Sequence, residues 1–260
     1  MKAIILSAGQ GKRLLPFTAK LPKCLLEVQG KTILEWQIGE LSKCGIDAIT
    51  VVTGYGYEDV DSTLQKNEGL RNIKTFYNPD FAKTDNLVSC WKVREQMNED
   101  FILLNGDTLF ESAVLQKLLA SPASPITVTI NHKDRYDSDD MKVSLMKTRL
   151  TRIGKDLSAS ETHGESIGMI LFRGDGPMIF REGLEQALRE SQAAHRWYLS
   201  VIDTISRQKE VLTCSIKGLQ WCEVDCPADL EAADKVTSYL KGKASDTSAE
   251  NCQTQKTAVL

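Results

Sequence analysis

A chain of 260 residues with 42% hydrophobic and 26% charged residues reads as a soluble globular protein that buries about three quarters of its unfolded surface. A net charge of -3 and a pI near 5.7 set it apart from nucleic-acid binders, which show a basic face. No apolar stretch approaches a membrane span, and the N-terminus enters a strand pattern without a signal peptide, so the expected location is the cytoplasm, with neither nucleic acid nor membrane as partner.

The apolar run 3–6 predicts a buried opening strand. Ser7, Ala8, Gly9 and Gly11 after it are small enough for a ligand to approach the backbone. Lys12, Arg13, Lys20 and Lys23 follow with no acid among them, and cations beside outward backbone N–H groups suit phosphate oxygens. Residues 32–44 have helical spacing, with Leu34, Ile38 and Leu41 on one stripe and Gly45 past the end. A strand over 48–52 runs into Thr53-Gly54-Tyr55-Gly56, then a helix over 58–66 and a strand over 73–77. Residues 85–97 predict a helix turning Leu87, Cys90 and Trp91 inward, and the strand 101–104 ends in Asn105-Gly106-Asp107. This alternation is that of a parallel sheet with crossover helices, whose ligands bind beyond the carboxyl ends of the strands. The loops after Leu6, Val52 and Leu104 therefore open onto one crevice, with the cationic loop opposite a carboxylate.

From residue 126 the pattern changes to strands over 126–130, 141–146, 150–154 and 166–172, the mark of a mixed or antiparallel extension. Helices are expected over 177–189 and 197–207, one or two strands over 211–224, and a closing helix over 227–240. Residues 244–260 hold little apolar content and read as a disordered tail. The seven cysteines are odd in number, scattered and without a Cys-x-x-Cys, as suits reduced thiols.

The opening loop is neither of two familiar phosphate loops. Leu14 stands where a dinucleotide fingerprint needs its third glycine, and Arg13 follows Gly11-Lys12 where a P-loop needs Ser or Thr. Gly9, Gly11, Arg13, Leu14, Pro16, Thr18, Pro22, Lys23 and Leu25 instead fill Gly-x-Gly-x-Arg-Leu-x-Pro-x-Thr-x-x-x-Pro-Lys-x-Leu without a gap. This resembles the signature of the nucleotidyltransferases that activate sugar phosphates, phosphocholine and related small phosphates or phosphonates. The resemblance implies an α/β fold: a Rossmann-like, mixed, mainly parallel sheet flanked by helices, of the nucleotide-diphospho-sugar transferase type, with a smaller mixed β part covering the substrate. It implies one domain over 1–243, with a nucleotide-binding core over about 1–125 and an acceptor-binding part over about 126–243.

The chemistry so implied is transfer of a nucleotidyl group. An acceptor oxygen attacks the α-phosphorus of a nucleoside triphosphate in line, and pyrophosphate leaves. Arg13, with its planar fork of donors, suits the leaving phosphates, and the resemblance places Lys23 near the α-phosphate; Lys12 either assists or is merely solvated. Asp107, at a strand end beside a glycine, suits a hard cation, or else is a turn aspartate bonding its own backbone. Trp221-Cys222-Glu223-Val224-Asp225-Cys226-Pro227-x-Asp229-Leu230 resembles the family's late metal element, which makes Asp225 the second Mg²⁺ ligand and leaves Asp229 as a first-turn acid. On the same resemblance Leu6, Ala8, Gly9, Gly11, Lys12, the Gly54 turn, Gly106, Asn86 and Ser89 form the nucleotide side. Asn86 and Ser89 share a helix face at i and i+3, although Asn86 equally suits a cap.

For the acceptor, the acidic run 134–142 offers Tyr136, Asp139 and Lys142, and Glu165 matches the family's substrate-lining segment. An acid with an aromatic holds an amine, and Tyr136, Trp197 and Tyr198 are available for that. Lys142 and Lys155 are both candidates for the acceptor phosphate. The short length and the Asn-Leu-Val-Ser helix are closer to cytidylyltransferases for phosphocholine, aminoethylphosphonate or inositol phosphate than to sugar-nucleotide enzymes, so CTP is the favoured nucleotide. Alternatives are a sugar-1-phosphate nucleotidyltransferase making an NDP-sugar, and a non-catalytic nucleotide-binding regulatory subunit. A glycosyltransferase would want Asp-x-Asp where the chain reads Asp107-Thr108-Leu109. Whether the chain forms a homo-oligomer is left open.

Overall fold

The computed structural model describes residues 1–70 and 72–256, the side chains from 244 onward excepted. The elements run β1 (Lys2–Ser7), β2 (Glu27–Val28), β3 (Lys31–Thr32), α1 (Ile33–Ser42), β4 (Ile49–Thr53), α2 (Tyr57–Lys66), β5 (Lys74–Tyr77), α3 (Asn86–Lys92), β6 (Phe101–Asn105), β7 (Thr108–Phe110) and α4 (Ser112–Leu119). The later elements are β8 (Ile126–Asn131), β9 (Lys142–Met146), β10 (Arg149–Gly154), β11 (Gly164–Phe172), α5 (Gly176–Leu188), α6 (Leu199–Ser206), β12 (Leu212–Ser215), β13 (Trp221–Glu223) and α7 (Asp229–Lys256).

One nine-stranded sheet, ordered β5-β4-β1-β6-β11-β8-β12-β10-β9, passes through both parts of the chain. Its first four strands are parallel, as the alternating apolar runs predict, and β1 is central because Ala3, Ile4 and Ile5 are wholly buried between two helical layers. The antiparallel β11 then reverses direction beside β6. Beyond it, β11 also pairs with β9, so β8, β11, β9, β10 and β12 close into a ring. This is the mixed extension expected after residue 126.

Several expectations shift. The helix expected over 85–97 is α3 followed by a 3₁₀ turn at Arg94–Gln96; Leu87 and Cys90 are buried, but Trp91 is only half-buried, with Arg94 stacked on its ring. The hairpin β2–β3 and the helix α4 were not anticipated. The backbone of α7 continues to Lys256, past the expected end at residue 240, with no proline to stop it. The tail expected over 244–260 falls on side chains, and after Lys256 on residues, that lie outside the described ones.

Three apolar clusters hold the layers together, and the third sets the site. Leu14 from the opening loop, Trp36 from α1, Leu109 from β7, Val224 after β13 and Ala233, Val236 and Leu240 from α7 pack as one body. Each such burial is worth about 1.5–3 kcal/mol, so the neighbours Arg13 and Asp225 are drawn together by the residues beside them.

Candidate active site

The carboxyl ends of β1 and β6 and the start of α3 surround a cleft of about 240 Å³. It is lined by Leu6, Ala8, Gly9, Gly11, Lys23, Asn86, Ser89, Gly106, Asp107 and Trp197, among others. Two local features shape its floor. Gly11 adopts φ +72°, which carries the chain into the 3₁₀ turn of Lys12–Leu14, and Thr18 Oγ1 donates to its carbonyl at 2.8 Å. Gly106 lies so close to β1 that a Cβ would stand 2.2 Å from Ser7 Oγ, so only glycine lets the β6 turn close on the loop. Gly54, expected beside the nucleotide, is not among the residues that line the cleft but touches two that do. It packs against Phe81 and the Ala8 carbonyl, and Tyr55 N–H donates to that carbonyl at 3.0 Å.

At the cleft mouth five charges from distant segments interlock. Lys23 Nζ reaches Asp107 Oδ2 at 2.7 Å and also pairs with Asp225 Oδ1. Arg13 holds Asp225 Oδ2 at 2.6 Å and Asp139 Oδ2 at 2.9 Å. Burial opposes the Lys23 charge, but the Asp107 and Asp225 carboxylates outweigh it and raise its pKa. Asp225 is itself fixed by Asp229, whose carboxylate accepts from the backbone N–H groups of Asp225 and Cys226 at 2.8 and 2.7 Å. Asp229 is thus a first-turn acid that also orders its neighbour. Lys12 is exposed and makes no ion pair among the described residues.

The residues expected to meet the acceptor are held differently. Asp139 also accepts from Lys155 Nζ at 3.1 Å, and the Lys155 hydrogen bond and charge, with Arg13 adding to them, hold its carboxyl below the usual range. Lys155 lies 4.5 Å over the Trp197 ring. Lys142 is buried and donates to the Lys155 carbonyl at 2.9 Å, with no carboxylate as ion-pair partner among the described residues. Buried Glu165 is held by Lys133 at 2.7 Å and by Asn131 at 3.2 Å, and burial pushes its pKa up. Lys133 also pairs with Asp140 and lies 5.8 Å over Tyr136.

Two contributors, Gln37 and Glu223, were not singled out from the sequence, and a third, Tyr198, stands elsewhere than among the amine-holding aromatics expected of it. Gln37 of α1 is wholly buried, and its Nε2 donates to the carbonyls of Asn105 and Thr108, both at 2.8 Å, clamping the turn that bears Asp107. Nothing in its sequence position announces this, because it sits mid-helix among core residues. Glu223 at the end of β13 makes no side-chain hydrogen bond or ion pair among the described residues. Burial, then the charges of Asp107 and Asp225, push its pKa up to about 8. Its place two residues before Asp225 was the available signal. Tyr198, wholly buried, donates its hydroxyl to Asn105 Oδ1 at 3.1 Å and its N–H to Asn86 Oδ1 at 2.8 Å. It is a brace between α3 and β6 and not an aromatic wall.

Asp107 Oδ1 is buried with no partner, and Asp107 and Asp225 already share one cation, the Lys23 ammonium. Such a pair fits a hard divalent ion that takes its remaining ligands from phosphate and water. Among the described residues no group of three or more His, Cys, Asp or Glu side chains is arranged to hold a metal alone. The described cysteines are all unpaired thiols, and no described helix is long and apolar enough to cross a membrane.

Comparison with known proteins agrees with this architecture. The inositol-1-phosphate CTP transferase of T. maritima superposes with a TM-score of 0.76 over 90% of this chain and 95% of its own, at 21% identity. A CMP-5'-(3-aminopropyl)phosphonate synthase of Streptomyces rubellomurinus is 29% identical over 90% of this chain, and a CTP:phosphoglutamine cytidylyltransferase of Campylobacter jejuni is 26% identical over 89% of this chain and 98% of its own. The chain spans 38% of the Streptomyces protein and 53% of a bifunctional IPC transferase and DIPP synthase of Aquifex aeolicus. The model of the MobA-like NTP transferase domain matches residues 3–200. With that match over most of its length, the chain belongs to the MobA-like NTP transferase family.

Proposed function

We propose that this chain is a Mg²⁺-dependent cytidylyltransferase that moves CMP from CTP to a small phosphate or phosphonate and releases pyrophosphate. The observation that carries the reading is the meeting of Arg13, Lys23, Asp107 and Asp225 at the mouth of a cleft whose floor is backbone and small residues. The named activities of the relatives, on aminopropylphosphonate and phosphoglutamine with CTP or CMP, support the choice of nucleotide and acceptor class.

An acceptor oxygen forms a bond to the α-phosphorus while the bond from that phosphorus to the β-phosphate oxygen breaks, and the electron pair leaves on pyrophosphate. No protein nucleophile is needed, so the side chains bind, orient and neutralise. Arg13 exchanges Asp139 for oxygens of the leaving phosphates, to which its fork presents two parallel donors. Lys23 exchanges the carboxylates for the α-phosphate, where it offsets the charge that repels an anionic acceptor. Asp107 and Asp225 would hold Mg²⁺, which would neutralise triphosphate charge and stabilise the leaving group. Lys155, freed from Asp139, and Lys142, whose ammonium has no carboxylate partner among the described residues, receive the acceptor's phosphate or phosphonate. Gln37 and Asp229 keep the two carboxylates in place.

Pyrophosphate release tests the reading, with each of the four common nucleoside triphosphates against phosphocholine, 2-aminoethylphosphonate, inositol phosphate and glucose-1-phosphate. Turnover with CTP and one of the first three acceptors is expected. Turnover confined to another nucleotide with glucose-1-phosphate overturns it in favour of an NDP-sugar synthase.

A further inference from the structure

Asp85, Asn86 and Ser89, at the start of α3, line the same cleft as Lys23. The hydrogen bonds these residues already make determine what they have left to offer. Asn86 Oδ1 accepts the Tyr198 N–H at 2.8 Å; a backbone N–H demands an acceptor, so the amide orientation is fixed and Nδ2 faces elsewhere with both hydrogens unused. Asn78 Oδ1 accepts the Asp80 N–H at 3.0 Å, which turns Asn78 Nδ2 toward Ser89. Ser89 Oγ therefore accepts at 3.0 Å, and its own hydrogen remains available to a ligand. Asp85 spends its N–H on the Ala194 carbonyl at 2.7 Å; its carboxylate makes no hydrogen bond or ion pair among the described residues and caps nothing.

The wall thus presents two neutral donors and one anionic acceptor. The pairing edge of cytosine offers the opposite set: O2 and N3 accept, and the N4 amino group donates. Uracil reverses two of the three, since its N3 donates and its O4 accepts, so a carboxylate aimed at the 4-position attracts one base and repels the other. We infer that Asp85 is the residue that discriminates cytosine from uracil, by accepting from the N4 amino group while Asn86 and Ser89 donate to O2 and N3. The inference rests on the cytidylyltransferase reading and adds to it the origin of the base preference. An unpaired acceptor in such a site rejects the wrong partner more strongly than shape alone.

The test is the equilibrium binding of CTP and of UTP, measured by calorimetry without acceptor, on the wild type and on Asp85→Asn and Asp85→Ser. Both replacements suit the start of a helix, so one remains informative if the other does not fold. The wild type is expected to favour CTP by about tenfold or more, and both variants to lose most of that ratio, with Asp85→Asn gaining affinity for UTP because its amide can donate to O4. A wild-type preference for CTP that survives unchanged in a folded variant overturns the role of Asp85 and leaves the enzyme reading standing. A wild type indifferent to CTP overturns both.

Discussion

The two walls of the cleft are charged in comparable numbers but held by different means. On the inner wall the Lys23 and Asp107 side chains are 12% and 23% exposed, pinned by strand ends and by Gln37 underneath. On the outer wall Arg13 and Asp139 are 56% and 66% exposed, and their pair spans the gap between a loop and an acidic turn. Buried pairs keep their geometry because breaking one strands a charge, whereas exposed pairs are exchanged for a ligand at little cost. One wall therefore gives up its ion pairs only when replacement charges take their place, and the other exchanges them at little cost.

Breaking the inner wall carries the largest expected effect. Lys23→Ala and Asp107→Ala each lower turnover by roughly 10²–10³-fold or more in a pyrophosphate-release assay, with the fold retained by circular dichroism. Gln37→Leu comes next, because it leaves the Asn105 and Thr108 carbonyls without their donor. It costs about 1–3 kcal/mol in chemical denaturation. As a positioning change it also raises the Mg²⁺ concentration needed for half-maximal CTP binding, a shift that a loss of stability alone does not produce.

Glu223 tests the electrostatics of the same wall. Its folded-state pKa, near 8, stands above the ordinary 4.5, so the folded protein binds the extra proton and this group's contribution to stability is lost as pH rises from about 4.5 through 8. In chelator, the melting temperature of the wild type falls across that window, and Glu223→Gln flattens the slope. The smallest effect belongs to the exchangeable wall. Asp139→Asn removes two exposed pairs, with Arg13 and Lys155, so stability barely moves, while CTP affinity rises by up to about fivefold because Arg13 is released beforehand. Added salt narrows that gain.

The same contrast explains what could be read from the chain. The opening loop, Asp107 and Asp225 were legible because each lies beside a local backbone signal: a small-residue turn, an apolar strand end, or a proline-led helix start. The hairpin β2–β3 escaped because two-residue strands show no period, and α4 because Ser112, its first residue, has its N–H satisfied by Glu40 of α1, 72 residues earlier. Gln37 was hidden for a related reason: beside Leu34, Ile38 and Leu41 it looks like a core position, and only the folded turn shows what its amide holds. Gly54 was placed at the ligand because its turn follows a strand, but Phe81 fills the space around it. At the cleft mouth, Arg13 and Asp139 are 126 residues apart, and no spacing rule couples them.

The central claim is that Asp107 and Asp225 share a divalent cation in place of the Lys23 ammonium once CTP is bound. Anomalous diffraction from crystals grown with CTP and Mn²⁺ tests it most directly. The account predicts a manganese peak between the two carboxylates with Lys23 turned onto the α-phosphate. A triphosphate seated in the cleft with Lys23 still bridging both acids, and manganese elsewhere, would contradict it.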